Sequence, residues 1–361
     1  MDLSAPDFNS VITEFVALPY DTQKFLRLSY SDEKLADYSL LVMLDSKTHE
    51  PVNSRLSTFI SRYPRYVHAE ALRHRVISRN AASSRARSVK STIKEVMTNP
   101  VIPLFTVNQK GMGGRFAPPE IREALITEWL LARDKDVASV LSMLINPSIR
   151  NGKTDSEVAN DYEALLDDYY QNGYDLEGEP KPGYLSAHKQ QFNRIIEAYS
   201  QFEEVITSSY WGNFLNLRNH PDAQPEIKAV AVLVQRALEL STPVQREFHI
   251  PFIAQADIPG IDADWETVMK PVFLRAAAES AQISYNDKSS SSKVTATDRL
   301  GVRLFESNHL SPFEHSAIAS DTYFSHISKT ADHLEKSPEK LVSNFDPSWV
   351  QLRPVLAGVT K

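Results

Sequence analysis

Apolar positions fall in runs and stripes that predict both strands and helices. Leu40 to Leu44 is an unbroken apolar run followed by Asp45-Ser46, which predicts a buried strand. Leu56 to Ile60, carrying Thr58 and Phe59, predicts a second. Pro64 breaks the chain, and Tyr66 to Leu72 starts a helix. Ser91 to Met97 reads as a helix stopped by Asn99-Pro100, and the two prolines of Pro100 to Phe105 make that stretch extended. Ile121, Leu125, Trp129 and Ala132 recur at helical spacing and predict a helix over 119–145. Phe192, Ile195, Tyr199, Phe202 and Ile206 predict a second long helix from Ser186 to Tyr210. A third starts after Asp222 as N-cap, with Pro225 in its first turn and a stripe of Ile227, Val230, Val234 and Leu238. Val272 to Ser280 and Arg299 to Glu306 are further helices.

Other stretches lack a clear period. Residues 1–35 read as irregular with some helix. Residues 151–182 are acidic and Tyr-rich, which predicts a surface insertion with one helix around Val158 to Tyr169. The serine run inside 286–296 predicts a flexible loop. Gln109 to Gly114 is glycine-rich but lacks the spacing and hydroxyl residue of a phosphate loop, so it reads as a turn. Three long helices with few strands predict an α+β (mixed α/β) fold, and no internal repeat is visible.

Composition narrows the function. The chain has 361 residues, 42% hydrophobic and 24% charged, which suits a globular protein with a real core. Its net charge of −7 argues against general nucleic-acid binding. It has no cysteine, so disulfides, thiolate metal ligands and a cysteine nucleophile are excluded. The first residues, Met1 to Ala5, lack the basic and apolar pattern of a secretory leader, and no apolar run reaches membrane-spanning length. The expectation is a cytoplasmic protein without membrane contact.

Against that acidic background one stretch stands out. Arg73 to Arg85 holds four arginines, a histidine and three serines, and no acidic residue occurs before Lys90. Guanidinium forks and hydroxyls suit phosphate oxygens. The same run also fits a solvated basic face or a nucleic-acid-binding segment. Two other segments are hard to explain by packing. Asn213 and Asn216 share a helix face that ends at Arg218, a donor set able to read a planar hydrogen-bonding ring. His309-x-Ser311-Pro312-Phe313-Glu314-His315 places two histidines and a glutamate together, but at no common zinc spacing, so no metal is expected. His315 reads equally well as a core histidine.

The pattern Arg73-His74-Arg75-x-x-Ser78-x-Asn80-x-x-Ser83-x-Arg85 resembles the signature of the flavin-dependent thymidylate synthases at every fixed position. Asn213 to Arg218 with Ala223-Gln224 and Glu226-Ile227 is similar to that family's second motif. His309 to His315, with Ser284-Tyr285, is similar to its third. The third motif follows the other two here, an order that resembles the long, phage-type members, as do Asn108 to Met112 and Phe345 to Arg353. The likeness covers roughly 40–110 and 184–355. It departs at Ala81, Ala86, Thr207, Ser209 and Asp222, where the family carries larger or different polar groups.

The resemblance implies a single catalytic domain over 1–361 that converts dUMP to dTMP. It implies methylenetetrahydrofolate as carbon donor, FAD as cofactor and NADPH as reductant. A related flavin-dependent hydroxymethylation of a deoxypyrimidine monophosphate is the alternative. By residue-wise carry-over, Arg218 and Ser83 are the catalytic residues. Glu70, Ser83, Ser84, Arg85, Arg194 and Arg218 bind dUMP. Arg73, His74, Arg75, Asn80, Asn213, Leu217, Ser284, His309, Ser311 and Glu314 contact FAD. The family also implies a homotetramer whose active sites combine several chains.

Overall fold

The structure, a computed structural model, describes residues 11–18, 21–30, 38–81, 83, 85, 87–175, 177–185, 188–284 and 293–357. Its centre is a twisted sheet of β1 (Ile12–Leu18), β2 (Asp21–Tyr30), β3 (Tyr38–Lys47), β4 (Arg55–Pro64), β5 (Ser78–Ala81) and β6 (Gln201–Ser208). The strands lie in the order β1-β2-β3-β4-β6-β5, every neighbouring pair antiparallel. A short β7 (Val244–Gln245) adds in parallel beside the end of β3. β8 (Phe248–His249), β9 (Ala317–Ala319) and β10 (Trp349–Gln351) form a second, three-stranded sheet. With the helices this is the expected α+β architecture.

The helix Pro225–Leu240 covers one face of the main sheet. Its Ile227, Val230 and Val234 pack with Leu28, Leu40, Phe59, Tyr63, Phe202 and Ile206 of the strands. The C-terminal residues build a separate core around Trp265, Phe273, Phe313 and Val355. A third core joins the helix Val89–Thr98 to the second half of Pro119–Leu144. The segment expected as a surface insertion, 151–182, contributes to that core. Its two helices, Asp155–Asn160 and Tyr162–Asn172, bury Val158, Leu166 and Tyr169 there.

Several local expectations need correction. Ile12–Leu18 and Asp21–Tyr30 are two antiparallel strands, where irregular chain with helix was expected. The helix expected over Ser186–Tyr210 stops at Ile195, and Gln201–Ser208 is the strand between β4 and β5. Its Val205-Ile206-Thr207 run is β-branched and is paired on both sides, by β4 and β5, where such side chains pack well. Asp222 does not cap the next helix: Gln224 occupies that position without a side-chain bond. Helix Pro119–Leu144 forms as expected, but Ile121 and Leu125 are 52% and 38% exposed and Ala132 is also exposed. The buried face lies further along, at Val137, Val140, Leu141 and Leu144. Of the loop expected at 286–296, residues 286–292 lie outside the described residues, and the helix Lys293–Glu306 begins within it.

Candidate active site

The arginine segment divides into three parts. The short helix His68–Leu72 leads into a tight turn, in which the His74 N–H meets Ala71 O at 3.2 Å and the Ile77 N–H meets His74 O at 3.1 Å. Strand β5 follows, and beyond it comes the exposed turn that holds Ser83 and Arg85. Arg73 and Arg75 flank His74 and point to solvent.

Arg218 closes on this turn from the second motif. It ends the helix Gly212–Arg218, where a cation complements the carbonyl end of the helix. Its Nε donates to His74 Nε2 at 3.0 Å and its Nη2 donates to Glu70 O at 3.3 Å. Phe214, one helical turn earlier, sets its ring edge-on to His74 at 4.9 Å between centroids. Burial first, and then the cations Arg218 and Arg79, hold the His74 pKa down at about 4. His74 is therefore a neutral acceptor at physiological pH. Burial, and then the nearby Arg73, push the Arg218 pKa down. Glu70 Oε2 is shielded from solvent and has no hydrogen-bond partner among the described residues. Glu70, His74 and Arg218 thus form one cluster with a spare guanidinium face and a spare carboxylate oxygen.

The third motif comes to β5 from the other side. The turn Ser311–His315 packs against β5 and β6. Gln351 is the joint between the motifs. Its Nε2 donates to Ser78 Oγ at 3.1 Å, to Glu314 O at 2.9 Å and to Asn344 Oδ1 at 3.0 Å. Asn344 Nδ2 donates to Ser78 Oγ at 3.0 Å, and Asn80 Nδ2 donates to Ser280 O at 2.6 Å. Ser78 is thus a buried structural hydroxyl, and Asn80 ties β5 to the helix Lys270–Ala281. Glu314 pairs with Arg353, while His309 and Ser311 are exposed. Asn213 and Leu217 are also exposed, on the helix of Arg218.

Alternation along β5 turns Arg79 to the opposite face of the sheet from Ser78 and Asn80. There it forms a buried ion pair with Glu204, which also accepts from Tyr63 Oη at 2.8 Å. His68 Nδ1 lies 2.9 Å from the same Tyr63 oxygen. Glu204 is the direct cross-strand partner of Ala81, so a carboxylate stands beside one of the positions where the sequence departs from the family signature.

The other residues expected to bind dUMP make no bond to Arg218 among the described residues. Ser83 and Arg85 are exposed, and Ser83 Oγ only accepts from the Arg85 N–H at 3.2 Å. Asn193 Nδ2 donates to Arg87 O at 3.1 Å, which holds this turn against the helix Lys189–Ile195, whose Arg194 is exposed. No hydrogen bond or ion pair among the described residues links Ser83, Arg85 or Arg194 to Arg218. The four residues of β5 lie between the turn of His74 and the turn of Ser83 and Arg85. Ser84 lies outside the described residues, as does the side chain of Ser284.

His315 is a core residue. Its Nδ1 lies 2.8 Å from Thr207 Oγ1, which lies 2.7 Å from Thr58 Oγ1, which in turn meets His249 Nε2 at 2.8 Å. His315 Nε2 is buried without a partner. Burial pushes its pKa down to about 3 and pushes His249 well below the usual histidine range. Among the described residues, no group of three or more His, Cys, Asp or Glu is arranged to hold a metal ion.

Sequence reasoning missed Asn344, Gln351, Ser280, Glu204 and Tyr63, which position the motifs. Only Glu204 leaves a local trace, as a carboxylate inside an apolar strand.

Residues 5–244 match the family model described as "Thymidylate synthase complementing protein". That span holds the first two motifs and ends before the third. No curated protein matches the sequence. Among solved structures, a UMP/dUMP methylase, PolB from Streptomyces cacaoi, bound with 5-Br UMP, is 15% identical with a TM-score of 0.35. The likeness covers 56% of this chain and 89% of that one. With two thirds of its length matched, the chain belongs to the thymidylate synthase complementing protein family.

Proposed function

We propose that the protein methylates dUMP at C5, with methylenetetrahydrofolate as carbon donor and NADPH as reductant. The observation that carries this reading is the cluster of Arg218, neutral His74 and Glu70. A guanidinium fixed by an acceptor on Nε keeps further N–H groups for a ligand. Held in a partly desolvated turn, it is suited to stabilise negative charge developing on a pyrimidine ring. The unpaired Glu70 oxygen offers an acceptor for a donor on the same ligand. Such catalysis works by orientation and electrostatics, which agrees with a chain that has no cysteine nucleophile.

The donor set suits FAD. Arg73 and Arg75 supply exposed cations for a diphosphate. Asn213, His309 and Ser311 supply exposed polar groups, and Leu217 an exposed apolar one. When bound and reduced by NADPH, FAD would supply the hydride that reduces the transferred carbon to a methyl group. Ser83, Arg85 and Arg194 form a second, basic half-site suited to the dUMP phosphate. The absence of any bond from this half to Arg218 among the described residues supports a reading in which each active site draws its halves from different copies in a homotetramer.

The absorption spectrum of the purified protein, followed by dUMP titration, tests this reading. Flavin bands that shift on adding dUMP are expected. A colourless protein that binds no added FAD contradicts it.

A further inference from the structure

A second cleft lies away from the three motifs, where β7 joins β3. It encloses about 200 Å³ and is lined mainly by apolar side chains, among them Phe25, Met43, Ile250 and Phe252. One cation enters it. Arg246 follows β7, and its backbone N–H donates to Lys47 O at 3.0 Å. Its Nε is buried without a hydrogen-bond partner, and Arg246 forms no ion pair among the described residues. Burial alone pushes its pKa down, with no carboxylate to offset the loss of water.

The neighbouring carboxylates are committed elsewhere. Asp45 lines the cleft, but Arg55 Nε donates to its Oδ1 at 2.9 Å and Arg55 Nη2 to its Oδ2 at 2.6 Å, and Ser57 Oγ donates to Oδ1 at 2.9 Å. Glu247, next in sequence to Arg246, is held by His49 at 2.5 Å and by Thr322. The Arg246 Nε is thus a buried donor without an acceptor beside a cleft walled by apolar side chains, and a buried polar group so placed calls for a partner. Phe252 adds a second sign. It lines the cleft with φ of +70°, a left-handed conformation that a bulky residue adopts at a cost and that gathers at ligand sites.

We propose that this cleft is a binding site for a small amphipathic monocarboxylate, its apolar body among Phe25, Met43, Ile250 and Phe252 and its carboxylate on Arg246. The volume of about 200 Å³ suits a medium-chain fatty acid better than a nucleotide. The guanidinium fork matches a carboxylate with two parallel hydrogen bonds. This site is independent of the nucleotide reading.

Calorimetric titration of the full chain with sodium octanoate tests it, with octan-1-ol and inorganic phosphate as probes of each half alone. Saturable binding of one octanoate per chain is expected. Arg246→Gln should weaken it at least tenfold, Arg246→Lys should keep the charge attraction but lose the fork and so bind between the two, and the weak binding of octanol should not change in either variant. No saturable octanoate binding to the wild type, equal binding to Arg246→Gln, or phosphate binding as tight as octanoate overturns the proposal. If Arg246→Gln fails to fold, the Met43 methyl resonance of the wild type decides. A saturable shift with octanoate supports the site, and no shift overturns it.

Discussion

Arg218 and His74, 144 residues apart in sequence, meet at 3.0 Å, guanidinium Nε on imidazole Nε2. The contact joins the arginine motif to the asparagine-rich helix and leaves the outer face of the guanidinium free. Arg218→Ala should reduce turnover by roughly 10²–10³-fold, the usual loss when one preorganised charge-stabilising donor is removed. Circular dichroism and thermal melting should show the fold retained. Near-normal turnover in that variant contradicts the placing of the pyrimidine at Arg218.

The separation of the two half-sites makes a different prediction. Arg218→Ala and Arg85→Ala chains should each be inactive alone. Mixed and reassembled, they should regain activity, because some sites then combine an intact Arg218 with an intact Arg85 from another chain. Activity that stays at background in verified hybrid oligomers places both halves in one chain.

Gln351 and Ser78 lie 273 residues apart and meet at 3.1 Å. Gln351→Leu leaves the buried Ser78 hydroxyl with one partner fewer and Glu314 O without its amide donor. The expected loss is about 1–3 kcal/mol in urea unfolding. FAD affinity should fall further than dUMP affinity, since Gln351 ties together β5 and the third motif. Unchanged stability and FAD affinity would show the contact to be incidental.

Arg79 and Glu204 form a buried charge pair under β5. Glu204→Leu alone strands a guanidinium in the core and should cost about 3–5 kcal/mol. Arg79→Met combined with Glu204→Leu should recover much of that, because both charges leave together. A double variant whose stability loss equals the sum of the single losses would show that the two charges do not interact.

Three buried histidines set the acid response. His74 is held down at about 4 and His315 at about 3, while His249 lies well below its usual range, all chiefly through burial. In each case the unfolded chain binds the proton first, at about 6.5. The stability they contribute is present above that value and is lost as pH falls from about 6.5 toward 3. Chemical denaturation across this range should show a steady decline, and His315→Leu should flatten it. A stability that stays level down to pH 4 contradicts the neutral burial of these rings.

Much of the architecture was legible because its signals are local. The runs at Leu40–Leu44 and Leu56–Ile60 are strands, and Pro225 and the stripe from Ile227 mark a helix. Gln201–Ser208 misled because Phe192, Ile195, Tyr199, Phe202 and Ile206 keep helical spacing across the junction of a helix and a strand. There, pairing with β4 and β5 outweighs the period. Ile121 and Leu125 show the converse: a true helix whose first apolar stripe faces outward. The motifs marked the residues around Arg218, but not the residues that hold them. Asn344 and Gln351 reach Ser78 across more than 260 residues of sequence, and local patterning does not announce contacts of that range.

The proposed reaction replaces the hydrogen at C5 of dUMP. The most direct measurement is tritium release from 5-tritiated dUMP with FAD, NADPH and methylenetetrahydrofolate, followed by the mass of the nucleotide product. The account predicts tritium in water and a product heavier than dUMP by one methylene unit. A product carrying a hydroxymethyl group, or no release while flavin and dUMP are both bound, contradicts it.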